Sequence, residues 1–150
     1  MKRRDPVEDH SLVEKRCELI DPQLTYMKGC LESSERPLPI LNKIYCKTLC
    51  LQNYLLNEGH CQGLASACVH LDPRVVNKLM FDNCGLTGDL TSILLEGAAS
   101  MRELKALTFK ASTFNRESID SIEPILARGM PNHLEELSII DCRLSSTVLE

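Results

Sequence analysis

Rings are scarce in this chain: its 150 residues include no tryptophan, three phenylalanines and three tyrosines. Aliphatic side chains must therefore fill any core, and 43% hydrophobic residues are enough to build one in what is about one domain's length. Long apolar runs are missing too, and none approaches the roughly 20 residues of a membrane-spanning helix. Met1-Lys-Arg-Arg-Asp-Pro leads into acidic residues and not into an apolar signal core, so the chain is expected to be cytoplasmic, with no membrane partner. Nor does one sign of charge dominate. The formal net charge of −4 argues against a nucleic-acid footprint. Residues 1–45 hold eight basic and eight acidic groups, leaving nine basic and thirteen acidic for 46–150. That mildly acidic stretch suits a basic or neutral protein surface better than phosphate.

What the chain does have is repetition. Cys46-Lys-Thr-Leu49-Cys-Leu51-Gln-Asn-Tyr54-Leu-Leu56 is followed by Val76-Asn-Lys-Leu79-Met-Phe81-Asp-Asn-Cys84-Gly-Leu86. Leu104-Lys-Ala-Leu107-Thr-Phe109-Lys-Ala-Ser112-Thr-Phe114 and Leu134-Glu-Glu-Leu137-Ser-Ile139-Ile-Asp-Cys142-Arg-Leu144 complete the set. Each reads apolar-x-x-apolar-x-apolar-x-x-(Asn/Cys-like)-x-apolar, and the starts lie 30, 28 and 30 residues apart. Leu49 and Leu51 differ by two, the strand period, so both point into the core. Helical spacing follows each strand: Cys61, Leu64, Ala65 and Cys68 in the first unit, then Leu90, Ile93, Leu94, Gly97 and Met101 in the second. Ile119, Ile122 and Leu126 serve in the third, where Pro124 is tolerable if the helix begins near Ser121.

These units resemble leucine-rich repeats of the ribonuclease-inhibitor-like class, with Tyr54 and Ser112 as departures at the ninth position. The resemblance covers residues 46–150. It implies an α/β leucine-rich-repeat solenoid, a horseshoe with an inner parallel β-sheet and outer helices: three strand–helix units plus a fourth strand. Residues 1–45 are read as a tail (1–9) and an N-terminal cap. Within the cap, a Ser11/Glu14 capping box starts a short helix over about Leu12–Ile20 that stops before Asp21-Pro22. Residues 33–39 are turn-rich. The fourth unit breaks off in Ser145–Glu150, which spells a helix start. Either the array is part of a longer one or something covers its edge.

Residues that could carry chemistry have plainer explanations. Eight cysteines in a reducing compartment read as thiols. His60, Cys61, Cys68 and His70 are zinc-ligand types, but Cys61 and Cys68 lie on the buried helix face while the histidines point elsewhere, so no metal is expected. Cys46 and Cys50 divide between an apolar core position and the solvent-facing side, and nothing beside Cys50 activates it. Cys84 and Cys142, at the ninth position, fill the turn under the strand. Cys17 and Cys30 belong to the cap. Gly85-Leu-Thr-Gly88 has the glycines of a phosphate cradle without its Lys-Ser/Thr, and a repeat turn explains it. No histidine sits in a triad context. The expectation is a non-enzyme without a cofactor.

The functional surface is then the concave one, where the third, fifth and seventh residues of each unit face the hollow. They are Thr48, Cys50 and Gln52; Lys78, Met80 and Asp82; Ala106, Thr108 and Lys110; Glu136, Ser138 and Ile140. Their uncharged central column, flanked by both signs, suits a protein–protein interaction or scaffold module binding a protein partner. Two alternatives keep the fold. One is a regulator of a small GTPase, with Asn83, Asn115 and Arg116 at the rim. The other is a structural subunit of a cytoskeletal or ciliary assembly.

Overall fold

Leucines two residues apart build the sheet. In the computed structural model, which describes residues 21–40, 43–44, 46–130 and 132–145, four five-residue strands carry them. These are β1 (Thr48–Gln52), β2 (Lys78–Asp82), β3 (Ala106–Lys110) and β5 (Glu136–Ile140). They pair in parallel in that order. The register aligns Leu49 with Leu79, Leu107 and Leu137 and, two residues on, Leu51 with Phe81, Phe109 and Ile139. A second short ladder pairs β4 (Thr113–Phe114) with β6 (Arg143–Leu144). Parallel neighbours need a crossover, and helices supply it: α2 (Glu58–Cys68), α3 (Gly88–Ser100) and α4 (Arg116–Leu126) follow β1, β2 and β4. The result is a mixed α/β structure with a four-stranded parallel sheet and four helices among the described residues.

The fourth helix, α1 (Pro22–Glu32), precedes the sheet. Asp21 caps it, its carboxylate accepting from the Gln23 amide, and Pro22 opens the first turn, where the absent N–H matters least. Asp21-Pro22, expected to lie just past the end of a helix, begins one. The helix expected over residues 12–20, the tail and residues 146–150 lie outside the described residues. Tyr26 of α1 is buried, and its hydroxyl accepts from the Leu38 amide at 3.0 Å. Gly29 and Gly63 let α1 and α2 approach so closely that a Cβ on Gly29 would lie 2.6 Å from Gly63 Cα.

All three phenylalanines meet in the middle of the core. Phe81 and Phe109 stack with centroids 5.4 Å apart, and Phe114 meets Phe109 edge-on at 5.6 Å, the arrangements that ring quadrupoles favour. Leu49, Leu51, Leu79, Leu107, Leu64, Leu94 and Leu95 surround them, all buried. Cys46, expected at a core position, is exposed: β1 is an edge strand, and no unit before it covers that site among the described residues.

The third crossover departs from expectation. Helix α4 starts at Arg116 and not near Ser121, because Asn115 and Ser118 form a reciprocal capping box. Pro124 consequently sits in the last turns, exposed. Its ring frees the carbonyl of Asp120, a residue that is itself exposed. The buried face is Ser118, Ile122 and Ile125, while Ile119 and Leu126 face outward. Polar bonds lock α4 to α3: Ser118 Oγ donates to Gly88 O at 2.8 Å, and Asn115 Nδ2 to Asp89 Oδ1 at 3.0 Å. Arg128 reaches back to the C-terminal carbonyls of α3, bonding Met101 O at 2.6 Å and also Ala99 O, a cation placed where the helix dipole favours one.

Ninth-position thiols stitch consecutive units together. Cys84 Sγ donates to Leu51 O at 3.3 Å, and Cys142 Sγ to Phe109 O at 3.4 Å. Ser112 holds the same position between them, but its Oγ is buried without a partner; a C–O bond is shorter than a C–S bond and falls short of the carbonyl. Ser112→Cys should raise stability by about 1 kcal/mol, since it satisfies the site. Cys84→Ser should lower it by about 1–2 kcal/mol, since it copies the defect. Urea titrations of both variants check this, and a destabilised Ser112→Cys contradicts it.

Candidate functional site

One face of the sheet lies under the helices; the other carries the twelve residues at the third, fifth and seventh positions. The strands alternate as expected, with Leu49 and Leu51 buried and Thr48, Cys50 and Gln52 turned away from the core. The in-register pairing then aligns three columns across the open face. Cys50, Met80, Thr108 and Ser138 form the central one, and all four are half-buried. Thr48, Lys78, Ala106 and Glu136 lie on one side of it, Gln52, Asp82, Lys110 and Ile140 on the other.

Local contacts tune these columns. Cys50 Sγ lies 3.6 Å from Met80 Sδ, making a soft, polarisable pair at one end of the central column. Gln52 Nε2 donates to Asp82 Oδ2 at 3.2 Å. Asp82 is only 9% exposed and Ala106 only 8%, so both contribute little accessible surface. What a partner could touch narrows to the central column with Thr48, Gln52, Lys78, Lys110, Glu136 and Ile140. Such a strip offers neutral contacts along its middle and charges of both signs beside it, a composition suited to a protein surface.

The rim past the strand ends is held by backbone geometry. Asn53, Asn83, Ala111 and Asp141 each follow a strand and each takes a positive φ, between 50° and 63°. Asparagine and aspartate tolerate that conformation, whereas alanine is strained in it by roughly 1–2 kcal/mol. Asn83 Nδ2 also donates to Asn53 Oδ1 at 2.9 Å, a rung that Ala111 cannot continue. A cavity of about 410 Å³ opens here, lined in part by Asn83, Thr87, Ala111, Thr113 and Arg143. The GTPase-regulator candidates lie nearby, but two of them already have local duties. Asn83 bonds Asn53, and Asn115 caps α4, accepting from the Ser118 amide at 2.8 Å. Arg116 is exposed.

The zinc-type residues do not converge. His60 is buried, contrary to the expectation that it points away from the core, and its two nitrogens are both engaged. Nδ1 accepts from the Asn57 amide at 3.2 Å and Nε2 lies 2.9 Å from Arg36 O. That pairing needs a neutral ring with its proton on Nε2. His60 thus ties α2 to the segment after α1, a role hidden by its isolation in the sequence. Among the described residues no three His, Cys, Asp or Glu side chains are grouped to hold a metal ion. In Gly85-Leu-Thr-Gly88, Gly85 adopts φ +64° and Thr87 caps α3. A Cβ on Gly88 would run into the Asn115 side chain at 2.6 Å, so a neighbouring unit occupies the space. No helix among the described residues is long and apolar enough to cross a membrane.

No family profile, no curated protein and no solved structure matches the chain.

The thiols divide sharply. Burial pushes Cys61 and Cys68 up to about 12 and Cys84 up to about 11, whereas Cys46 is exposed and Cys50 partly so. In the unfolded chain thiols titrate near ~8.5. Because the folded values are higher, stability from these groups is intact below that pH and is lost as pH rises toward the folded values. The melting temperature should fall progressively above about pH 9. A thiol reagent at pH 8 should label Cys46 and Cys50 in the native state and Cys61, Cys68 and Cys84 only after denaturation. Native labelling of Cys68 contradicts this arrangement.

Proposed function

We propose that the chain is a leucine-rich-repeat solenoid of the ribonuclease-inhibitor-like class, acting as a non-enzymatic interaction or scaffold module that seats a protein partner on the open face of its sheet. The spelling shared by four units supports the class, and so does the alignment of Leu49, Leu79, Leu107 and Leu137 on neighbouring strands. A helix layer is wider than a strand layer, so stacking such units curves the sheet inward and makes its open face concave.

The observation that carries the reading is the uncovered central column of Cys50, Met80, Thr108 and Ser138. It is uncharged, partly accessible and fixed on a hydrogen-bonded sheet. A surface already ordered before contact loses little conformational entropy on binding. Columns repeating at the strand spacing of about 4.8 Å can follow an elongated partner across several units.

Glutamate at Met80, Thr108 and Ser138 should weaken a partner's capture by at least about 30-fold. Made one at a time, so that no two like charges face each other across the strands, each of these half-buried changes should lower stability by no more than about 1 kcal/mol. Quantitative pull-down with parallel melting curves measures both. If charge reversal at Glu96 and Glu123 on the helices weakens capture and the sheet-face changes do not, the partner sits on the helical side.

A further inference from the structure

Two sulfurs meet on the open side of the sheet. Cys50 of β1 and Met80 of β2 are level neighbours in the parallel register, so both side chains leave the sheet on the same face. Cys50 Sγ lies 3.6 Å from Met80 Sδ, and both residues are half-buried, neither sealed in the core nor fully in solvent. Strand pairing sets that spacing before any ligand arrives. Other thiols are placed differently. Cys61, Cys68 and Cys84 are buried in the core, and Cys142 Sγ lies against the carbonyls of Phe109 and Ile140.

We propose that Cys50 and Met80 together bind a soft monovalent cation, copper(I). A thiolate and a thioether are the donors that this ion selects. Zinc is poorly matched, because it takes four ligands drawn from thiolates, imidazoles and carboxylates. Among the described residues no three His, Cys, Asp or Glu side chains are grouped to supply them. At a metal–sulfur bond of roughly 2.3 Å, sulfurs 3.6 Å apart subtend about 100° at a shared ion. Opening them by about 0.4 Å gives trigonal angles, a shift that the three rotatable bonds of methionine allow. The remaining coordination position opens to the uncovered face, where a small thiol can enter. Binding replaces the proton of the Cys50 thiol with the ion. One proton leaves, a neutral thiolate–copper unit forms, and the copper stays in its +1 state. Lys78, two residues before Met80 on the same face, opposes a bare cation but not this neutral unit. The site stands whether or not a protein partner uses the face.

Carbon-13 labelling of the methionine methyls in the 150-residue chain tests the site, because Met80 is one of only five methionines. One equivalent of copper(I), kept reduced by ascorbate without oxygen, should shift the Met80 methyl resonance and leave those of Met27 and Met101 in place. Cys50→Ser should abolish the Met80 shift. Competition with a coloured copper(I) chelator supplies the affinity. Met80→Leu preserves side-chain volume and should raise the dissociation constant for copper(I) at least about tenfold. Zinc(II) at the same concentration should leave the Met80 methyl unmoved. No Met80 shift with copper(I), an affinity indifferent to Met80→Leu, or an equal response to zinc(II) overturns the inference.

Discussion

Each strand–helix unit of this chain buries its leucines against the next unit more than within itself. A five-residue strand and an eleven-residue helix cannot enclose a core alone, and an isolated parallel strand has no partner for its backbone. Set in register, the units share one interior in which Leu49, Leu79, Leu107 and the phenylalanine stack are dry. Other contacts depend on that register. The ninth-position thiols reach the carbonyl of the preceding unit only because consecutive strands are level, and Arg128 meets the end of α3 for the same reason.

The same constraint generates the surface. Once alternate residues are committed to the core, the third, fifth and seventh positions have nowhere to go but the open face, whatever their chemistry. Burial then selects among them: Asp82 is held by Gln52 and largely withdrawn, Ala106 is too short to project, and Met80, Thr108 and Ser138 stay accessible. The polar staples Asn115, Ser118 and Asp89 hold adjacent helices so that the face keeps its spacing.

The strands were legible because a period of two is short and each leucine repeats it at a nearly constant interval. The leucine columns and the outward columns both come from that count. Helix boundaries were less legible, because competing local signals must be weighed. Pro124 suggested a start near Ser121, yet Asn115 and Ser118 satisfy each other's backbone groups and the proline tolerates an exposed late turn. Asp21-Pro22 spells a cap as well as a stop, and the cap becomes visible only through long-range packing, the burial of Tyr26 and the bond of its hydroxyl to the Leu38 amide. The burial of His60 depends on Arg36, 24 residues away, and no local pattern announces such a bond. The partial withdrawal of Asp82 from the candidate face likewise depends on Gln52, 30 residues earlier.

Nuclear Overhauser contacts among the leucine methyls of the protein in solution test the shared interior most directly. In-register neighbours on parallel strands lie about 4.8 Å apart, so Leu49 should contact Leu79, Leu79 should contact Leu107, and Leu107 should contact Leu137. Leu49 and Leu107 should show no contact. Absence of the sequential contacts, or their replacement by contacts that skip a unit, would contradict the stacked arrangement and the face built on it.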